Sequence, residues 1–155
     1  MSLTLAKPTA IRHEALRIAG ERVTRDEVIE VTYPYTGEVI ATVPKATLED
    51  VRRAYKIARD YKPTLTRYER YKILMRAGEL IAARLDEISR LITLESGLCL
   101  KDTLYEAGRA SDVLLFAANQ ALVDDGAVFS CDLTHHGKSR KVYTTKEPLL
   151  GVITA

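Results

Sequence analysis

The sequence predicts an α/β fold built from a β-hairpin, a layer of helices, a two-stranded ribbon and the first strand of a doubly wound parallel sheet. Three observations predict it. Ile29, Val31 and Tyr33 alternate with Glu30 and Thr32, a period of two. From Thr47 to Asp124 apolar residues recur at helical spacing, in segments set off by capping residues. Leu149 to Thr154 is a near-continuous apolar run without polar alternation, the pattern of a strand buried on both faces of a parallel sheet. Such a sheet needs several strands joined by helical crossovers, and no comparable second run occurs. The expectation is the front piece of a larger protein whose chemistry lies in residues this chain does not contain.

Each element has its own signal. Residues 1–17, with Pro8 and scattered charge, read as a loose N-terminal arm. Leu16 to Val23 reads as a short strand turning at Gly20. Val28 to Pro44 reads as a hairpin around Pro34-Tyr35-Thr36-Gly37 with one covered face. Thr47 with Asp50 predicts a capped helix that buries Val51, Ala54, Tyr55 and Ala58 and stops at Tyr61-Lys62-Pro63. Thr66 and Glu69 form a second capping box. The apolar period behind it, from Ile73 to Ile92, is long enough to predict a break near Leu85-Asp86, with Asp86 capping a further helix. Asp102 is predicted to begin the last helix, burying Leu104, Ala107, Ser111, Leu114, Leu115, Ala118 and Ala121, with Gly108 and its small neighbours allowing a close approach. Residues 18–123 thus form the hairpins and helices. Residues 124–146 form a ribbon, its strands Ala127 to Leu133 and Ser139 to Thr145, and 147–155 the apolar strand. Gly151 within that strand is explained by close backbone packing.

Composition bounds the function. The chain has 155 residues, 46% hydrophobic and 28% charged, enough for a globular domain burying about 70% of its unfolded surface. A net charge of +2 gives no concentrated basic face for nucleic acid. No segment has the length and apolarity of a signal peptide or a membrane span, so the expected location is cytoplasmic. Cys99 and Cys131 form no CxxC pattern and read as buried or partly buried free thiols, neither disulfide nor zinc site.

No complete catalytic set is present. His135 and His136 are adjacent in a turn and point to different sides, so they read as solvated side chains and not as a metal pair. Cys99, just past a helix C-terminus where the dipole disfavours a thiolate, and Cys131 on a strand both read as inert. No glycine-rich phosphate loop occurs, and Lys138, Arg140 and Lys141 read as charges guarding an edge strand. Arg109, flanked by Gly108, Ala110 and Ser111, is the one candidate site residue. On a packed helix such an arginine either pairs with a carboxylate or faces a cavity that receives an anion.

Several stretches together carry a resemblance. Tyr33-Pro34-Tyr35-Thr36-Gly37-Glu38, the strand to Pro44, and Ala46 to Val51 resemble the opening of the aldehyde dehydrogenase superfamily, with Tyr33 where that family has asparagine. Arg70 to Leu85, Glu95-Ser96-Gly97, Glu106 to Ala118 and Glu147-Pro148-Leu149-Leu150-Gly151-Val152 are similar to its next segments, in the same order. The likeness covers about residues 18–155. It implies the N-terminal part of an aldehyde dehydrogenase fold, ending on the first strand of a Rossmann-like cofactor sheet. It also implies oxidation of an aldehyde to an acid through a cysteine thiohemiacetal, NAD or NADP as cofactor, and a homo-oligomer, dimer or tetramer, joined through the 127–145 ribbon. The family's nucleophilic cysteine, base and cofactor segment fall beyond Ala155, so no catalytic, cofactor or metal residue is assigned here and the 155-residue piece is expected to be inactive. The stretches around Cys99, Arg109 and Asp124 resemble a subgroup acting on phosphonoacetaldehyde, in which an arginine at the place of Arg109 reaches the phosphonate. The resemblance leaves lactaldehyde, succinate semialdehyde and glyceraldehyde phosphate as alternative substrates. A non-enzymatic helical interaction module is the remaining alternative.

Overall fold

The computed structural model describes residues 10–123, 125–146 and 151–154. Three small sheets and four helices follow one another along the chain. β1 (Arg12–His13) lies parallel to β5 (Val39–Pro44), with Arg12 opposite Ala41 and His13 opposite Thr42. His13 Nδ1 and Thr42 Oγ1 meet at 2.8 Å beside that pairing. The expected loose arm is therefore partly strand; residues 1–9 lie outside the described residues. β2 (Leu16–Ile18) and β3 (Glu21–Val23) form a tight hairpin. Its two loop residues, Ala19 at φ 51° and Gly20 at φ 84°, are both left-handed. That is the mirror-image turn whose twist suits two-residue hairpins. β4 (Val28–Thr32) pairs antiparallel with β5 as the alternation predicts, with a register shift between Val31 and Thr32. Ile40 and Ala41 of β5 are buried, while Val28 and Ile29 of β4 are exposed.

α1 (Leu48–Asp60) starts at the predicted capping box. Asp50 N–H donates to Thr47 Oγ1 at 3.1 Å and Thr47 N–H donates to Asp50 Oδ2 at 2.9 Å. Asp50 is buried and also takes both arms of Arg25 from the β3–β4 connection, Nε at 3.1 Å to Oδ2 and Nη2 to Oδ1. The helix is anchored by this polar end rather than by its apolar face. Val51 and Tyr55, predicted to be buried, are exposed.

α2 (Arg67–Ala83) carries the second capping box, Thr66 with Glu69. The predicted break exists, but it falls at Arg84, the single residue between α2 and α3 (Leu85–Ser96). Asp86 is not the cap: it lies inside the first turn and accepts from Arg90 Nε at 3.0 Å. Arg84 serves both helices with its backbone, donating to Ile81 C=O and accepting from Ile88 N–H, so no side-chain cap is needed. Gly97, at φ 75°, ends α3 in the left-handed cap that favours glycine.

α4 (Leu100–Leu122) begins two residues before Asp102 and lies against α2 and α3. Thr103, Ala107 and Ala118 are its buried positions, with Ser111, Leu114 and Ala121 half-buried. Leu104 and Leu115, predicted to face inward, are exposed. The inward place goes to Thr103 because α3 offers hydroxyls there. Thr103 Oγ1 stands 2.9 Å from both Ser89 Oγ and Thr93 Oγ1 and 3.1 Å from Leu100 C=O, and all three hydroxyl residues are buried. Three shared hydroxyls satisfy one another away from water, which a leucine could not do. Close packing comes from α2 rather than from Gly108, beside which space is open. A Cβ at Gly78 would lie 3.6 Å from Leu114 Cβ and 3.6 Å from Ser111 C=O, and Ser111 Oγ donates to Gly78 C=O at 3.2 Å.

β6 (Val128–Ser130) and β7 (Lys141–Tyr143) pair antiparallel as the predicted ribbon, shorter than expected and with all six residues exposed. Of the apolar C-terminal run, residues 147–150 and 155 lie outside the described residues, and Gly151 to Thr154 are in no strand. A parallel strand exists only with neighbours to pair, and no described strand pairs with these residues. The space at Gly151 is correspondingly open. Among the described residues, no helix is long and apolar enough to cross a membrane.

Candidate functional site

Arg109 is placed by the pitch of α4. With Ala107 inward, residue 109 is turned about 200° away on a helix of 3.6 residues per turn. The same outward face carries Tyr105, Glu106, Asp112, Val113 and Phe116, spaced three, four and seven residues from Arg109. Tyr105 is 68% and Phe116 73% exposed, so this is an uncovered face of aromatic and charged residues.

The guanidinium is held on one side only. Arg109 Nη1 donates to Glu106 Oε1 at 3.1 Å, and Cζ stands 5.7 Å from the centre of the Tyr105 ring. A cation over an aromatic face is attracted by its quadrupole. An exposed ion pair of this kind is worth only about 0.3–0.5 kcal/mol on a helix surface. It orients the group without saturating it. Nε and Nη2, the edge that binds two oxygens side by side, have no partner among the described residues. Of the two alternatives read from the sequence, the carboxylate pair is the one the described residues show; the opposite edge of the guanidinium has no described partner. Arg109 lines neither of two clefts among the described residues, one between α2 and α4 and one along α2. The first, of about 220 Å³, has Met75, Gly78, Glu79, Ala82, Ser111, Asp112 and Leu115 at its walls; the second runs along Leu65, Ile73 and Leu80.

His135 and His136, expected to point to different sides, instead bring their rings together, with centres 3.7 Å apart and planes tilted by 44°; no group of three metal-binding side chains occurs among the described residues. Cys131 is half-buried, but Cys99 is exposed, and it is the N-cap of α4 as well as following α3. No described hydrogen bond reaches either thiol.

The described residues do not fit a dinucleotide. A pyrophosphate wants a helix N-terminus with free N–H groups. Here α1 and α2 close theirs with Asp50 and Glu69, α3 has Asp86 and Glu87 in its first turn, and α4 has Asp102. Thr47 N–H, then Arg25 and the Thr47 hydroxyl, hold the Asp50 carboxyl down to about 2, so it is fully charged at neutral pH. The Thr66 backbone and hydroxyl likewise hold Glu69 below its usual value. Sequence reasoning found both caps. It missed the partner Arg25, twenty-five residues from Asp50, and did not single out Glu106 and Tyr105, whose signal was their spacing of three and four from Arg109.

Comparison with known proteins gives consistent matches. The profile of the aldehyde dehydrogenase family matches residues 22–155. A 3-sulfolactaldehyde dehydrogenase of Priestia aryabhattai is 31% identical over 148 residues, covering 95% of this chain and 31% of that protein. The crystal structure of aldehyde dehydrogenase 21 from Physcomitrella patens with its reaction product succinate superposes with a TM-score of 0.74 at 28% identity, over 84% of this chain and 28% of that one. That of the NADP-dependent glyceraldehyde-3-phosphate dehydrogenase from Bacillus halodurans with NADP gives 0.72 at 27% identity, over 90% and 30%. The chain spans about a third of the length of the proteins it matches.

Proposed function

Because the chain belongs to the aldehyde dehydrogenase family, we propose that it acts as the N-terminal part of an enzyme that oxidises a small anionic aldehyde to the carboxylic acid with NAD or NADP. Its own contribution is to seat the anionic end of the substrate on Arg109. The observation that carries this reading is the open Nε/Nη2 edge on the uncovered face of α4. A planar guanidinium matches the paired oxygens of a phosphonate, sulfonate or carboxylate. Phosphonoacetaldehyde is suggested by the likeness around Arg109. The similarity to a 3-sulfolactaldehyde dehydrogenase and to a structure holding succinate supports an acid-bearing aldehyde more generally.

No residue here carries out the oxidation in this proposal. The cofactor, which supplies the hydride acceptor, is held by other residues, since every helix N-terminus described carries its own acid. The β6–β7 ribbon, exposed on both faces, extends the sheet of a neighbouring subunit, because a two-stranded ribbon is barely stable alone.

The test is Arg109→Ala in the full-length protein with sulfoacetaldehyde, succinate semialdehyde and propionaldehyde. Loss of a charged hydrogen-bond pair is expected to raise KM for the two anionic aldehydes by about 10–100-fold. The ratio of their kcat/KM to that of propionaldehyde falls accordingly. An equal change for all three overturns the assignment.

A further inference from the structure

The proposed seat is not a bare cation. Glu106 Oε1 lies 3.1 Å from Arg109 Nη1, on the side away from the open edge. Asp112 stands on the same face, three residues on, without an ion pair among the described residues. The Tyr105 ring presents its electron-rich face to the same guanidinium. One positive group is thus set against the Glu106 carboxylate and a π face, with Asp112 at the border of the same face.

We propose that Glu106 evens out the charge preference of this seat, weakening its hold on doubly charged acids such as a phosphonate near pH 8 so that singly charged carboxylates and sulfonates are taken comparably. The inference rests on Arg109 being the anion seat. Both classes present two oxygens to the Nε/Nη2 edge and gain the same pair of hydrogen bonds. They differ in the second negative charge. Against Arg109 alone that charge would add attraction. Against Arg109 already paired with Glu106 that extra attraction is reduced by the repulsion of the carboxylate. Glu106 is thus a specificity-determining residue acting through charge, and it need not touch the substrate. Its neutral isostere removes the charge while keeping an oxygen able to accept from Arg109, so the geometry of the seat is retained.

The experiment compares wild type, Glu106→Gln and Arg109→Ala in the full-length protein at pH 8, after thermal melts show each to be folded. Sulfoacetaldehyde and phosphonoacetaldehyde share a skeleton and differ in charge. Succinate semialdehyde separates carboxylate from sulfonate recognition, and propionaldehyde serves as the neutral reference. Wild type is expected to take the two monoanions and the phosphonate with similar kcat/KM. Glu106→Gln is expected to raise the phosphonate-to-sulfonate ratio of kcat/KM by about two- to fivefold, through KM and not kcat, as removal of one nearby half-exposed charge implies. If that ratio stays put in Glu106→Gln while Arg109→Ala selectively loses the anions, the role of Glu106 is refuted and the seat stands. If Arg109→Ala changes all four aldehydes alike, the seat itself is refuted and this inference with it.

Discussion

Asp50 shows how much one side chain carries in a chain with so little apolar core. It caps α1, accepts from the Thr47 backbone and hydroxyl, and receives both arms of Arg25 from across the sheet connection. Its carboxyl falls from 3.8 to about 2 on folding, so the folded state binds its proton less readily than the unfolded chain. Stability from this group is present above about pH 4 and is lost as pH falls toward 2. Melting temperatures between pH 2 and 7 are expected to drop steeply over that window in the wild type. In Asp50→Asn they are expected to be lower at neutral pH and to fall less over the same window, and parallel curves would contradict the assignment. The capping half of this arrangement was legible, because a threonine followed three residues later by a carboxylate is a local signal. The Arg25 half was not, since nothing in the sequence says which cation a folded chain brings to a given acid.

Among the elements, the α2–α4 contact decides how the helices sit. At Gly78 an added methyl would find Leu114 Cβ and Ser111 C=O at 3.6 Å, ordinary contact distance. Gly78→Ala is therefore expected to be tolerated or to stabilise by up to about 1 kcal/mol, through the better helix propensity of alanine. Gly78→Leu should instead wedge the helices apart and cost about 1–3 kcal/mol. Urea unfolding of the pair of variants checks this, and an alanine as harmful as leucine would mean that the helices sit closer than described. The helices themselves were legible from capping and period, and their inward faces only in part. α4 has apolar residues on every side, so the period could not choose between Thr103 and Leu104. The choice was made by Ser89 and Thr93 on another helix. The break between α2 and α3 was legible from the length of the periodic run, but its position was not, because a joint capped by its own backbone needs no special residue.

At the scale of the molecule, the chain exposes more than a self-contained protein does. Its accessible surface is 12530 Å², against about 7800 Å² for a folded monomer of its 17.3 kDa mass. The buried apolar residues described are Ile18, Ile40, Ala41, Ala107 and Ala118, while Leu48, Ile73, Tyr105, Val113 and Phe116 stand in the open. Exposed apolar area on this scale is covered by something in a working protein. The isolated 155-residue chain is accordingly expected to associate with itself at micromolar concentration, seen as concentration-dependent sedimentation. Phe116→Glu should reduce that association, and a monomer at every concentration would contradict it. The order of hairpins, capped helices and ribbon was legible because each rests on local signals. The apolar strand expected from 149 to 154 was the weakest inference for a physical reason: a buried strand is defined by neighbours that its own residues cannot specify.

The hydroxyl knot between α3 and α4 also bears on time. Thr103 meets Thr93 and Ser89 across only ten and fourteen residues of chain. Loops that short close in about 10–100 ns, whereas a ribosome adds about 5–20 residues each second. Once α4 has emerged, its clasp onto α3 is complete before the next few amino acids are joined. The helical layer is then already waiting, with its outward face open, when the residues of the ribbon have yet to emerge.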